Sequence, residues 1–398
     1  MKNRILTTLF IISIAISCKD TTKETSSNLL EMSSVELFNL SNNIGNKQAT
    51  LEQSEIINIP IDSVSLNHSL YPVYYDADTI HYYITANANQ HSLDFYDINK
   101  RILTKRVYFK KEGAEGVPDL RYFFIKNMDS VFVLSRNYKQ IVLINSKGNL
   151  LARTNIHIKD GDDMAHSLSC PIDLRDSFLI VPKLKPVTPM EMVGTNVIAG
   201  INIYTGKVIE YELKLPPAFE KKQAPIGSYL PSFALLNDKI NVRFGLLSTI
   251  YQYDIKTEQT TVIPLKSKFQ EQAITLSEYS DFIKMASEVG EKEDIEKASY
   301  QNLMYDSYRQ VYYSVFFEGI DMINKASGKK NSYDDKPISI IIADKDFRYL
   351  GEKRLGVGYF RNFLVTKDGL LVSNAHPKNP HYQEDVLSFT LFKLKYQE

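Results

Sequence analysis

The chain has no tryptophan and only two cysteines, Cys18 and Cys170, in 398 residues. Two cysteines cannot form the dense disulfide framework of a small secreted module. Net charge is missing too: 47 basic side chains balance 47 acidic ones, which argues against nucleic acid as a partner. Beyond Cys18 no stretch approaches the ~20 consecutive apolar residues that span a bilayer. A nucleophile elbow, a phosphate-cradling loop, a dinucleotide fingerprint and a paired-His zinc helix are all absent. Gly356-Val357-Gly358 lacks the third glycine and following helix of a nucleotide loop and reads as a turn. No catalytic residue, cofactor or metal site is therefore assigned. What remains is a chain with 43% hydrophobic residues, long enough to bury a core.

The N-terminus has the order of a secretory signal: Lys2 and Arg4, the short apolar run from Ile5 to Ile16, then Ser17 before Cys18. Ala15-Ile16-Ser17-Cys18 resembles the lipobox of bacterial lipoproteins. The resemblance implies cleavage after residue 17 and acyl chains on Cys18, enough for stable membrane anchoring. An ordinary secretory signal with an incidental cysteine is the alternative. Acylation of Cys18 leaves Cys170 without a partner, so an intrachain disulfide is excluded. Lys19-Asp20 looks like the short signal that exports some Bacteroidetes lipoproteins, so the expected location is the outer membrane, on its periplasmic or cell-surface face. Residues 18–54 open with Ser, Thr, Lys and Glu and are expected to form a solvated tether. The folded body is expected over 55–398.

Repetition defines that body. Six times a run of β-branched and aromatic residues is followed by a second: Ile80–Ala86 with Leu93–Ile98, Val131–Ser135 with Ile141–Asn145, Phe178–Pro182 with Ile198–Tyr204, Ile240–Phe244 with Thr249–Asp254, Val311–Phe317 with Ile338–Asp344, and Leu370–Asn374 with Val386–Leu394. Five of the second runs meet a turn-like stretch, beginning at Asp97, Asn145, Tyr204 (Tyr204-Thr205-Gly206), Asp254 and Asp344, where Asp, Asn and Gly suit hairpin turns. Upstream apolar segments bring each unit to about four strands, the blade of a β-propeller. The sixth unit lacks a fourth strand, and the isolated run Glu55–Ile61 is expected to supply it. The fold class is thus all-β, a six-bladed β-propeller closed by an N-terminal strand. Two smaller β-domains are the alternative.

One stretch interrupts the pattern. From Ser277, Tyr279, Phe282, Ile283, Ala286 and Val289 fall at helical spacing, and Gly290 would end the helix. A small helical insertion between blades four and five, within about 270–303, is expected. In its lipobox, Lys111–Val117, Gly356–Phe360 and Val365–Leu371, the chain resembles a Bacteroidetes lipoprotein family with a domain of unknown function (DUF4221-like), related to TolB-like propellers. The resemblance covers nearly the whole chain and implies fold and location; it carries no catalytic residue.

Candidate ligand chemistry is sparse. Arg121, Arg175, Arg243, Arg309 and Arg361 each sit in or beside an early strand of a successive unit. A ring of such guanidinium groups around a central channel would bind carboxylates or sulfates, as on an anionic glycan. His376 and His381 in a Pro-flanked segment, and the carboxylates of Asp160-Gly161-Asp162-Asp163, read as exposed loops before they read as metal ligands. Tyr71, Tyr74 and Tyr75 are candidates for sugar stacking, although strand aromatics are more often core. The leading functional expectation is a monomeric, non-enzymatic, lipid-anchored propeller binding a ligand or envelope protein. The rival is an envelope enzyme acting on glycans or peptides in the channel.

Overall fold

Runs rich in Val, Ile, Tyr and Phe pleat into strands because branched and aromatic side chains pack well on a half-buried sheet. The computed structural model describes residues 42–397 apart from 69–70, 78, 136–138, 160–162, 165–171, 185–191, 220–229, 272–273 and 275–287. These residues form six antiparallel sheets, the blades of a six-bladed propeller. Blade 1 comprises Val73–Ala77, Ile80–Asn87, Ser92–Asp97 and Ile102–Tyr108; blade 2, Phe123–Asn127, Ser130–Ser135, Gln140–Ile144 and Leu150–Asn155. Blade 3 comprises Asp173–Arg175, Phe178–Leu184, Asn196–Asn202 and Val208–Lys214, with Asp163–Met164 added to its second strand. Blade 4 is Ser232–Leu236, Lys239–Arg243, Thr249–Asp254 and Gln259–Pro264, and blade 5 is Ser299–Asp306, Val311–Phe317, Ile338–Asp344 and Tyr349–Gly356.

Blade 6 takes Phe363–Val365, Leu370–Ser373 and Val386–Tyr396 from the C-terminal end and its outer strand, Ala49–Pro60, from the other. The register runs from Ala49 opposite Tyr396 to Pro60 opposite Val386, with a bulge between Gln53 and Glu55. Leu51, Ile57 and Ile59 point inward and are buried, while Glu52 to Glu55 face solvent. The strand begins at Ala49 rather than Glu55 because the bulge lets a polar stretch cross the rim before pairing resumes. The body itself reaches back to Asn42. Gly45 N–H donates to Tyr349 O at 2.9 Å, Tyr349 N–H to Asn43 O at 2.8 Å, and the Asn42 amide bonds the backbone of Lys266. Residues 42–54 therefore belong to the propeller and not to the tether.

The core is a ring of layers, each squeezed between consecutive blades. Blades 3 and 4 meet through Ile180, Tyr211, Phe233 and Val242; blades 5 and 6 through Val315, Ile340, Leu370 and Phe392; blades 6 and 1 through Ile59, Leu387, Tyr83 and Tyr96. Second and third strands are covered on both faces, as in the wholly buried Val311–Phe317. Fourth strands such as Gln259–Pro264 have an exposed side. Between blades 4 and 5 lies the α-helix Glu288–Glu296. Ser277, Tyr279, Phe282, Ile283 and Ala286 lie outside the described residues. Gly290 sits inside this helix, buried, and does not end it.

Ile59 is fully buried in the layer that joins the last blade to the first. Ile59→Ala is expected to lower the unfolding free energy by about 2–5 kcal/mol, the cost of a core cavity. A loss below about 1 kcal/mol in urea titration would show that the closing strand is not integral to the core.

Candidate functional site

Antiparallel alternation sorts every loop to one of two faces. Hairpins joining strands one to two and three to four lie at one end of each blade, here the lower face. Connections from strand two to three, and from blade to blade, lie at the other, the upper face. This parity decides the fate of the five arginines. Arg121 and Arg361 precede a first strand and Arg243 ends a second, all toward the upper end; Arg175 and Arg309 lie at lower hairpins. They form no ring.

Each is also engaged locally. Arg121 forms a two-point pair with Asp119, and Arg175 pairs with Asp238 of the next blade. Arg309 holds Asp306 at 2.7 Å and donates to Thr366 O and Lys367 O. Arg243 is fully buried, donating to Ser314 Oγ, Leu247 O and Leu265 O with its guanidinium 4.1 Å from the Tyr300 ring centroid. Burial pushes Arg243 down to about 10. Arg361 lies 3.0 Å from Asp334 and against the Tyr333 ring, beside the surface described next.

The long upper connection of blade 5, residues 318–337, builds that surface. Asn324 Oδ1 accepts from Ala326 and Ser327 N–H, both at 3.0 Å, and Gly328 takes a positive φ, folding a narrow loop with Ile323 near its tip. Ser332 and Asp335 bond reciprocally around the short 3₁₀ turn Tyr333–Asp335. The helix packs alongside: Lys330 pairs with Glu291 at 2.6 Å, and Ile320 N–H donates to Ile295 O at 3.1 Å. At Gly319 a Cβ would collide with the Glu296 carbonyl, so only glycine allows this approach. Together with the blade 6 loop at Lys378, these elements enclose an open groove of about 850 Å³. Ile320, Ile323 and Val357 give it apolar surface; Glu296, Asp321 and Lys378 stand along it.

Lys336 lies beneath the groove, almost wholly buried. It donates to Asp294 O at 2.7 Å and Lys297 O at 2.6 Å, with its ammonium 4.6 Å from the Tyr333 ring centroid. Those carbonyls close the helix, and Lys336 Nζ supplies the donors they would otherwise lack. Burial pushes Lys336 down to about 7 and raises Asp294 beside it.

The other candidates disperse. His376 accepts from Lys378 N–H and is lowered by burial, while the His381 N–H bonds Asn379. Asp160 and Asp162 lie outside the described residues, and among the described ones no three metal-ligating side chains cluster. Tyr71 packs edge-on to Tyr122, and Tyr74 bonds His81 at 3.0 Å. A second cavity, of about 310 Å³ on blade 3, is bordered by a Lys183–Glu210 pair at 2.7 Å. Sequence reading missed Lys336 and the whole 318–337 connection. The available signal was length, since most other blades link strands two and three by much shorter loops.

The family described as "Domain of unknown function (DUF4221)" matches residues 48–354. A crystal structure of a DUF4221 family member from Bacteroides vulgatus superposes with a TM-score of 0.77 at 21% identity, covering 89% of this chain and 100% of that one. A Bacteroides fragilis protein, given as a candidate exported protein, superposes with a TM-score of 0.51 at 10% identity, covering 90% and 99%. Both likenesses are of fold. No curated protein matches the sequence significantly.

The Lys336 shift sets a pH dependence. Its folded value of about 7 lies below the ordinary 10.5, so between the two the unfolded chain binds the extra proton. Stability contributed here rises with pH across that window and is lost as pH falls through about 7. Urea midpoints at pH 6.5 and 9.5 should diverge more in wild type than in Lys336→Met. Parallel pH profiles would refute the assignment.

Proposed function

The chain belongs to the DUF4221 family, and from that premise we propose a lipid-anchored cell-envelope propeller that binds an envelope protein in its upper groove, without catalysis. The observation that carries this reading is the character of the groove. It is broad and open, and Ile323 and Val357 remain 51% and 52% exposed on it. Apolar side chains left in water beside a polar frame suit a docking surface, whereas substrate pockets enclose their ligand. The strongly shifted group nearby, Lys336, is turned inward to hold the helix and does not face the groove as an acid or base. The envelope location is supported by the signal and lipobox ending at Cys18 and by the exported description of the Bacteroides fragilis neighbour.

Two measurements test this. Metabolic labelling with an alkyne fatty acid should mark the wild-type chain and not Cys18→Ala; equal labelling would remove the anchor. Cross-linking in native envelopes should give a defined partner adduct that falls at least roughly tenfold in Ile323→Asp/Val357→Asp, since buried charge at an interface centre is strongly unfavourable. Undiminished adduct with an unchanged Tm would exclude the groove.

A further inference from the structure

The lower face carries a repeated feature that the groove does not use. Where strand three turns into strand four, each of blades 1 to 5 folds the same way. An Asp or Asn draws its side chain back onto the turn's own N–H groups: Asp97 onto Lys100, Asn145 onto Lys147 and Asn149, Asn202 onto Tyr204 and Thr205, Asp254 onto Lys256 and Thr257, Asp344 onto Asp346 and Arg348. A residue with positive φ completes each turn: Arg101, Gly148, Gly206, Glu258 and Phe347. The acceptors are thus folded in, and what the turns project is a lysine from every one, Lys100, Lys147, Lys207, Lys256 and Lys345, all exposed. At the corresponding corner of blade 6, where the closing strand begins, Lys47 takes the sixth place.

Of these, Lys256 pairs with Asp238 and Lys100 with Asp97. Among the described residues Lys147, Lys207 and Lys345 have no ion pair; the exposed acids of the same turns are Glu258 and Asp346, and the one-to-two hairpins of this face add Asp129, Asp176 and Asp368. Between the lysines stand large side chains left in water on the same rim: Tyr204 at 69% exposure, Ile44 at 56%, Leu151 at 50% and Tyr396 at 48%. Basic residues interleaved with tyrosine and aliphatic groups suit a lipid headgroup layer, where a ring or chain sinks to the glycerol level and ammonium groups meet phosphate.

The N-terminal end of the described chain passes along this same rim before Asn42 reaches the backbone of Lys266, in the connection from blade 4 to blade 5. The closing strand starts at its lower end, opposite Tyr396, and Asn43 to Gly45 run back beside Tyr349, just after the lysine turn of blade 5. We propose that the lower rim is the propeller's membrane-facing surface and rests on anionic phospholipid headgroups, leaving the upper groove directed away from the bilayer. The proposal deepens the lipid-anchor reading and rests on it for geometry: acyl chains supply one attachment, and the lysine rim supplies the second signal that fixes orientation.

The test places a fluorophore on the lower turn (Thr205→Cys) or the upper connection (Ser327→Cys), each in a Cys170→Ser background. The lipidated protein is reconstituted in vesicles of phosphatidylcholine alone or with one quarter phosphatidylglycerol, with a nitroxide-labelled lipid as quencher. The Thr205 position should be quenched at least roughly threefold more than Ser327 in the anionic vesicles, and the difference should vanish in Lys147→Glu/Lys207→Glu/Lys345→Glu, which stays anchored and keeps its Tm. Equal quenching at both positions, stronger quenching at Ser327, or insensitivity to the three charge reversals overturns the proposal. Should the wild-type chain fail to float with vesicles at all, the anchor reading falls. The unlipidated Cys18→Ser chain then decides the face: co-flotation with the anionic vesicles at low salt, lost on charge reversal, upholds it, and no co-flotation overturns it.

Discussion

Everything in this molecule depends on the pairing of Ala49–Pro60 with Val386–Tyr396. Blades touch only their neighbours, so without that strand the six sheets would be an open stack with two unlike ends. The last blade would present a long edge of Leu387, Phe389 and Leu391 with its backbone unpaired, the kind of edge that recruits other chains. With it, every sheet is covered on both sides and the number of inter-blade layers equals the number of blades. Closure also explains how the two ends of the propeller are held together: eleven residue pairs do the work a covalent link performs in smaller domains.

The seam between blades 4 and 5 is built differently, and the difference follows from the chain's course. Here the connection is long, and part of it, Leu265 to Ser267 with Gln270, is buried between blades in irregular conformation. Irregular backbone in a core must still find hydrogen-bond partners. Glu352 accepts from Lys268 N–H and Ser267 Oγ, and Arg243 takes the carbonyls of Leu247 and Leu265. Burial raises Glu352 and lowers Arg243. The two charges serve the loop more than each other. That use of arginine is invisible to a reading that treats it as a ligand for something outside.

Legibility in the sequence tracked burial symmetry. Strands covered on both faces read as continuous apolar runs, and Val311–Phe317 and Ile338–Asp344 match their expected limits end for end. First strands other than that of blade 5 are short, and fourth strands such as Leu150–Asn155 carry Ala, Arg, Thr and Asn on a wet face; only their number could be inferred. The first half of the closing strand was hidden because Glu52-Gln53-Ser54-Glu55 crosses the rim through a bulge. The arginine ring failed for a different reason. Sequence spacing places a residue along a strand, but the end of the sheet it occupies depends on the parity of the strand, and a shift of one strand moves it to the opposite face of the propeller.

Parity also separates what is constant from what varies. Lower hairpins are short and fixed by turn chemistry, so blades 1 to 5 repeat one shape and one polarity around the rim. Upper connections have no such constraint, because strand two and strand three need only return to the same sheet. They range from the single turn at Phe244 to Ser248 in blade 4 to the folded 318–337 segment in blade 5. Lys336 and the helix show how such a segment is made rigid: a buried ammonium ties it to carbonyls of the preceding connection. A repeated rim suits a featureless partner such as a charged layer, and a singular, rigid upper surface suits a singular one. The division of labour proposed for the two faces follows from the way a four-stranded antiparallel blade must distribute its loops.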